Sequence, residues 1–169
     1  VELHPVFEES FILVFPKDFR EPLDLVGLPS SLPFIRFSRL TGTGQQIERQ
    51  IVRMKLKLPQ MVEVESSHQQ LALVAAGIGW AITTPVCLAA VPELLSQLRA
   101  EPMTRGRFSR SVQVVARIDE LGNIPSLTAA LCQQVLQEKI FPPLIEAYPW
   151  MAQQLAWPSA SVENEELIA

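Results

Sequence analysis

Two periodicities take turns along this chain, and their order predicts its elements. Phe11-Ile12-Leu13-Val14-Phe15 is a continuous apolar run closed by Pro16, Lys17 and Asp18, the pattern of a strand buried on both faces, as in a parallel sheet. A loop with Pro22, Gly27 and Pro29 leads to Ser31, and Phe34 to Phe37 reads as the next strand. The polar, glycine-containing stretch from Ser38 to Gly44 opens a helix in which Ile47, Ile51 and Met54 share one face, with Glu48, Arg49, Arg53 and Lys55 elsewhere. From Met61 to Glu65 the period returns to two, Val62 and Val64 alternating with Glu63 and Glu65. Pro92 to Leu98 reads as a short helix and Ser111 to Arg117 as a strand with Val112, Val114 and Ala116 on one face. Ile124, Leu127, Leu131 and Val135 mark a longer helix with Asn123 placed to cap it. A final amphipathic stripe runs through Ile140, Phe141, Leu144, Ile145, Tyr148 and Met151 before the chain turns acidic at Glu163, Glu165 and Glu166. That stripe suits a terminal helix docked on its own lobe or a contact with another subunit. Alternating strands and helices predict α/β architecture.

The most informative stretch is Ser66 to Pro85, which holds a helix-to-strand junction. Ser66 or Ser67 can cap the helix start, Leu71 and Val74 lie one turn apart on one face, and Gly77 stands where a left-handed residue ends the helix. A β-branched residue at Gly77 is expected both to strain the backbone and to crowd the turn. After Gly79 the run Trp80 to Thr83 reads as a buried parallel strand, and Pro85 can open the next helix at its first position.

Composition narrows the function classes. With 169 residues, 48% of them hydrophobic, the chain can bury a sizeable core as one compact domain or two small lobes. A net charge of −4 and a pI near 5.2 lack the basic footprint of a nucleic-acid-binding surface. Cys87 and Cys132 form no CxxC pair and read as buried reduced thiols rather than a disulfide or metal site. No apolar run approaches the ~20 residues needed to span a bilayer, and the N-terminus has no signal-peptide pattern, so a cytoplasmic protein is expected. Catalysis needs a nucleophile with its base, paired carboxylates or clustered metal ligands. His4 and His68 are the only histidines, Asp18, Asp24 and Asp119 are scattered, and no GxSxG or Walker pattern occurs. No enzyme activity, cofactor or metal is expected.

In open α/β sheets small molecules bind beyond the carboxyl ends of strands, and Ser38 to Gly44 occupies such a place. Ser38, Thr41 and Thr43 offer hydroxyls, Gly42 and Gly44 allow close backbone approach, and the following helix start favours a carboxylate or phosphate. The same residue types also serve simply as a turn and cap. Arg36 or Arg39 could add a bidentate contact or be a solvated surface charge. His68, in a first helical turn, reads as exposed.

Val74-Ala75-Ala76-Gly77-Ile78-Gly79 followed by Thr84-Pro85 resembles the C-terminal inducer-binding domain of LysR-type transcriptional regulators. His4 to Pro16 is similar to that family's crossing between lobes, and Leu32 to Ser38 to the strand carrying its binding loop. The resemblance spans roughly Leu3 to Phe141. It implies a type II periplasmic-binding-protein-like domain of two Rossmann-like lobes, partly truncated. Residues 1–15 would cross from the first lobe, 16–112 form the second, 113–152 return to the first, and 153–169 form a C-terminal tail. The DNA-binding winged helix-turn-helix and the first half of the first lobe would lie outside this chain, leaving the strand at Ser111 and the helix at Ile124 short of partners. The resemblance further implies a small, carboxylate-bearing inducer held between lobes by Arg36, Phe37, Ser38, Thr41, Gly42, Thr43, Gly44, Gly77 and Ile78, in a homodimer or homotetramer. A periplasmic solute-binding domain of similar fold and an oligomerisation domain without ligand are the alternatives.

Overall fold

The computed structural model describes residues 1–21, 31–58 and 60–158. The loop through residues 22–30 and the acidic end at Glu163, Glu165 and Glu166 lie outside the described residues. In chain order the strands are β1 (Glu2–Ser10), β2 (Ile12–Pro16), β3 (Phe34–Phe37), β4 (Gln60–Val64), β5 (Ala81–Thr83), β6 (Leu98–Pro102), β7 (Ser109–Ala116) and β8 (Leu155–Ala156). The helices are α1 (Gly42–Arg53), α2 (Ser67–Ala75), α3 (Pro85–Ala89), α4 (Ile124–Val135) and α5 (Phe141–Ala147).

The apolar run after Ser10 becomes β2, the middle strand of the sheet β5-β2-β6, and it is antiparallel to both neighbours rather than parallel. An apolar run encodes burial on both faces, not strand direction. Side chains alternate across a strand, so Ile12 and Val14 join one core with Leu71 and Val74 of α2, while Leu13 and Phe15 join a second with Ile47 and Ile51 of α1. The parallel pairing expected at the junction is confined to its first residue: Trp80 bridges Phe34 in parallel, with the Ile35 N–H donating to the Trp80 carbonyl at 2.9 Å. β3 and β4 form the parallel pair beyond it.

Gly77 ends α2 as expected, at φ +79°. The Ile78 N–H reaches the Leu73 carbonyl at 3.0 Å and the Gly77 N–H reaches Val74 at 2.9 Å, the two bonds of a Schellman ending. The crowding expected for a larger residue here is absent, because a β-carbon at Gly77 would meet nothing within 4 Å. Close approach is instead the property of Gly79, whose β-carbon would lie 2.5 Å from the Pro33 carbonyl oxygen. Ser66 occupies the N-cap position of α2 without a side-chain capping bond. Asn123 likewise makes none, since its backbone (φ −88°, ψ 0°) is not the extended form that aims a cap.

The second three-stranded sheet has the order β7-β1-β8, antiparallel throughout. Its central strand β1 carries a bulge: Pro5 faces Gln113 and Phe7 faces Val112, so Val6 is an extra residue. Val6 and Phe7 are consequently both buried, and from there the inward positions are odd-numbered, ending with Glu9 at 0% exposure. Pro5 has no N–H to give, and its carbonyl accepts from Gln133 Nε2 of α4 at 3.0 Å. β8 falls within the segment expected to be a tail. The terminal stripe forms no single helix. α4 passes through a π-helical stretch, Leu136–Ile140, into α5, where Pro142 and Pro143 lack the N–H groups that would close ordinary helical bonds to residues 138 and 139.

On α4, Ile124, Leu127 and Leu131 are 58%, 59% and 60% exposed, and only Pro125 and Ala129 are buried. Val115 on β7 and Ile118 are exposed beside them in sequence. The predicted apolar stripe of this helix is therefore exposed rather than packed in a core.

Candidate functional site

The turn from β3 into α1 is built from its own hydroxyls. The Thr41 hydroxyl donates to the Ser38 carbonyl at 2.8 Å and accepts the Gly44 N–H at 3.0 Å, which makes Thr41 the N-cap of α1. The Ser38 hydroxyl accepts the Leu40 N–H at 3.3 Å. Gly44 is required by close approach, since a β-carbon there would lie 1.9 Å from the Ser38 carbonyl oxygen. These bonds consume Ser38 and Thr41 and leave Gly42 and Thr43 projecting from the helix start.

Gly42 and Thr43 line a cavity of about 880 Å³. Its walls are largely apolar: Val6 and Phe7 from β1, Val112 and Val114 from β7, Leu131 and Val135 from α4, and Leu136 from the π-helical stretch. Its polar lining residues are Thr43, Gln46, Arg110, Ser111 and Gln113, and Arg110 of β7 meets Thr43. Arg110 Nη1 donates to the Thr43 hydroxyl at 2.7 Å, Nη2 to the Thr84 hydroxyl at 3.1 Å, and Nε to Glu9 Oε1 at 2.8 Å. Glu9 completes the cluster, accepting the Val86 N–H at the start of α3 through Oε2 at 2.9 Å. One buried ion pair thus joins both strands of the β1–β7 ladder to the first turns of α1 and α3. The Phe11 ring, 6.0 Å from the Arg110 guanidinium carbon, borders the cluster.

Of the residues singled out in the sequence, Gly42 and Thr43 line this cavity and Ser38, Thr41 and Gly44 shape the turn that presents them. Arg36, Phe37, Gly77 and Ile78 are not among its lining residues. Arg36 is buried, pairs with Glu48 and lies over the Phe34 ring at 5.6 Å, and burial lowers its pKa. Phe37 packs against the core shared by Ile47 and Trp80. Arg39 pairs with Glu63 at 3.8 Å.

Glu9 and Arg110 were missed, and each had a signal. Arg110 is in phase with Val112, Val114 and Ala116, and an arginine on the apolar face of a strand calls for a buried acid. Glu9 was hidden because the bulge at Val6 reverses which glutamate of Glu8-Glu9 points inward. Among the described residues no group of three or more His, Cys, Asp or Glu could hold a metal ion. No helix among them is long and apolar enough to cross a membrane.

A cavity with largely apolar walls and a few polar groups is the form that small-molecule sites take. The chain belongs to the LysR substrate binding domain family, whose model matches residues 1–139. Among solved structures, the effector binding domain of QuiR in complex with shikimate is similar at a TM-score of 0.59 and 14% identity, over 78% of this chain and 63% of that one. A Corynebacterium glutamicum OxyR C206 mutant is similar at 0.62 and 20% identity, over 90% of this chain and 46% of that one. Full-length HypT from Salmonella typhimurium, a hypochlorite-specific LysR-type transcriptional regulator, is similar at 0.59 and 15% identity, over 79% and 46%. The chain thus spans less than two thirds of each of these neighbours. A comparison with curated proteins found no match. The fold is the mixed α/β, type II periplasmic-binding-protein-like fold of LysR regulatory domains.

Proposed function

We propose that this chain is the effector-sensing and oligomerisation part of a cytoplasmic LysR-type transcriptional regulator, and that its effector is a small carboxylate bound in the cavity beside Thr43 and Arg110. The observation carrying this reading is the meeting of a guanidinium, a free-standing helix start and apolar walls in one cavity of about 880 Å³. Arg110 keeps one Nη1 N–H for a carboxylate beyond those given to Glu9, Thr43 and Thr84, the first turn of α1 adds its dipole, and the apolar walls accept the body of the molecule. In this reading residues 1–15 cross from the first lobe into the second, 16–112 form the second and 113–152 return to the first, so the cavity lies where the lobes meet. Filling it would favour one lobe arrangement over others. DNA is contacted only through a winged helix-turn-helix outside this chain, within a homodimer or homotetramer, and the exposed face of α4 supports a protein partner there. Arg36, Gly77 and Ile78 act in this reading as supports of the second lobe, as do Phe37, Ser38, Thr41 and Gly44.

Thermal-shift titration of the chain with benzoate and with its uncharged counterpart benzamide tests the proposal. Benzoate is expected to stabilise the wild type more than benzamide does, and Thr43→Val to reduce that difference. Equal shifts for the two compounds, or a difference unaffected by Thr43→Val, would contradict it.

A further inference from the structure

The chain has a net charge of −4, yet cations from two separate segments gather at one corner of it. Arg53 and Lys55 flank Met54 where α1 ends, and Arg105 and Arg107 flank Gly106 between β6 and β7. The two segments touch: Gln50 Nε2 donates to the Gly106 carbonyl at 2.7 Å, and Met54 fills the space that a β-carbon on Gly106 would need. All four cations are exposed, and none enters an ion pair among the described residues. Arg107 Nε donates to the Met103 carbonyl at 2.9 Å, which leaves its charge uncompensated. Nearby acids are engaged elsewhere, Glu48 with Arg36 and Glu101 with Arg99. The negative end of the α1 dipole accounts for Arg53 and Lys55, but not for two arginines brought to the same place by another segment.

Like charges held together repel one another and raise the local concentration of anions. Three of the four are guanidinium groups, whose planar fork suits carboxylates. Half-buried Met54 and Phe108 supply apolar ground among them. Independently of the effector cavity, we infer that this corner is a docking site for an acidic polypeptide segment, its carboxylates on the four cations and an apolar side chain on Met54 and Phe108. A nucleic acid calls for a broader basic surface than one corner of an acidic chain offers. Phe108 also ties the corner to the passage from β1 into β2, stacking on Phe11 at 4.0 Å and accepting its N–H at 3.0 Å. A segment held here therefore sits against both the β1–β2 and the β6–β7 crossings between the two three-stranded sheets.

The test is fluorescence anisotropy with a labelled peptide of the sequence Ser159–Ala169, which carries Glu163, Glu165 and Glu166 among Val162, Leu167 and Ile168. The protein is the 169-residue chain with Glu163→Gln, Glu165→Gln and Glu166→Gln, so that its own end does not compete. The peptide is expected to bind at least tenfold more tightly than its counterpart with the three glutamates replaced by glutamine. Arg53→Gln with Arg105→Gln should weaken binding at least tenfold without moving the urea midpoint. Arg20→Gln with Arg117→Gln, an equal change of net charge at other exposed sites, should leave binding unchanged. Equal binding of the two peptides, no binding, or the same loss in both double variants would overturn the inference. A short DNA duplex that binds more tightly than the peptide, and loses binding in Arg53→Gln with Arg105→Gln, would overturn the polypeptide assignment.

Discussion

Glu9 and Arg110 stand directly opposite each other in the β1–β7 ladder, and their side chains close an ion pair with Arg110 Nη2 at 2.7 Å from Glu9 Oε1. The glutamate side chain has no exposed surface and the arginine side chain keeps 18%. A buried carboxylate that loses its only cation is left desolvated and uncompensated, which typically costs about 3–5 kcal/mol. Arg110→Gln should therefore destabilise the chain by roughly that amount. Replacing both partners together, Glu9→Gln with Arg110→Gln, should cost clearly less, because no unpaired charge remains. Urea denaturation of the two single variants and the double variant closes the cycle. Additive losses would mean that the pair does not act as a unit.

The turn that presents Thr43 depends on Gly44 and not on Gly42. A β-carbon at Gly44 would sit 1.9 Å from backbone oxygen, whereas one at Gly42 would meet nothing within 4 Å. Gly44→Ala should cost ~3 kcal/mol or more, the upper end for overpacking, and Gly42→Ala should stay within ~0.5 kcal/mol of wild type. Denaturation midpoints decide; equal midpoints for the two variants would contradict the described turn.

Gly77 tests a different physical cause. Its φ of +79° is unfavourable for any side chain, yet space around it is open. Gly77→Ala should then cost about 1–2 kcal/mol from backbone conformation alone. Gly77→Asn, which tolerates the left-handed region better, should cost less. A larger loss for Asn than for Ala would point to crowding instead.

Tyr148 gives the fold a dependence on alkaline pH. Its hydroxyl donates to the Leu98 carbonyl at 2.9 Å, and burial pushes its pKa upward. With a folded pKa above the unfolded value of about 10, the neutral phenol stabilises the fold below that pH. This contribution is lost as pH rises through the folded pKa. Tyr148→Phe should lose ~1 kcal/mol near neutrality through the missing hydrogen bond, and should lose less stability than wild type on going to pH 11. Parallel losses in both proteins would show that Tyr148 does not carry the effect.

How much of this was legible beforehand depends on what each residue encodes locally. The end of α2 at Gly77 was legible because a glycine in the left-handed region and the apolar pair Leu71 and Val74 are local signals. The helix start after Ser38 was legible for the same reason. The antiparallel direction of β2 was not, since its residues record burial alone. Nor was the Glu9–Arg110 pair, whose partners are 101 positions apart and whose register depends on one extra residue at Val6. The α4 stripe was read correctly as apolar, but helical spacing says nothing about what covers it.

That face makes its own prediction. Ile124 and Leu127 are more than half exposed, and contiguous apolar surface of this kind associates. The isolated chain should self-associate in sedimentation, and Ile124→Lys with Leu127→Lys should shift it toward monomer without lowering its urea midpoint. A monomeric wild type at high concentration would contradict this.

The central claim is the position of the effector site, and amide chemical-shift mapping tests it most directly. Titration with the carboxylate that stabilises the chain most should perturb Gly42, Thr43 and Gln46 on α1 together with residues 110–114 on β7, and leave Arg36, Gly77 and Ile78 nearly unmoved. Perturbations centred on Gly77 and Ile78, with Thr43 and Arg110 silent, would place the site elsewhere and contradict the account.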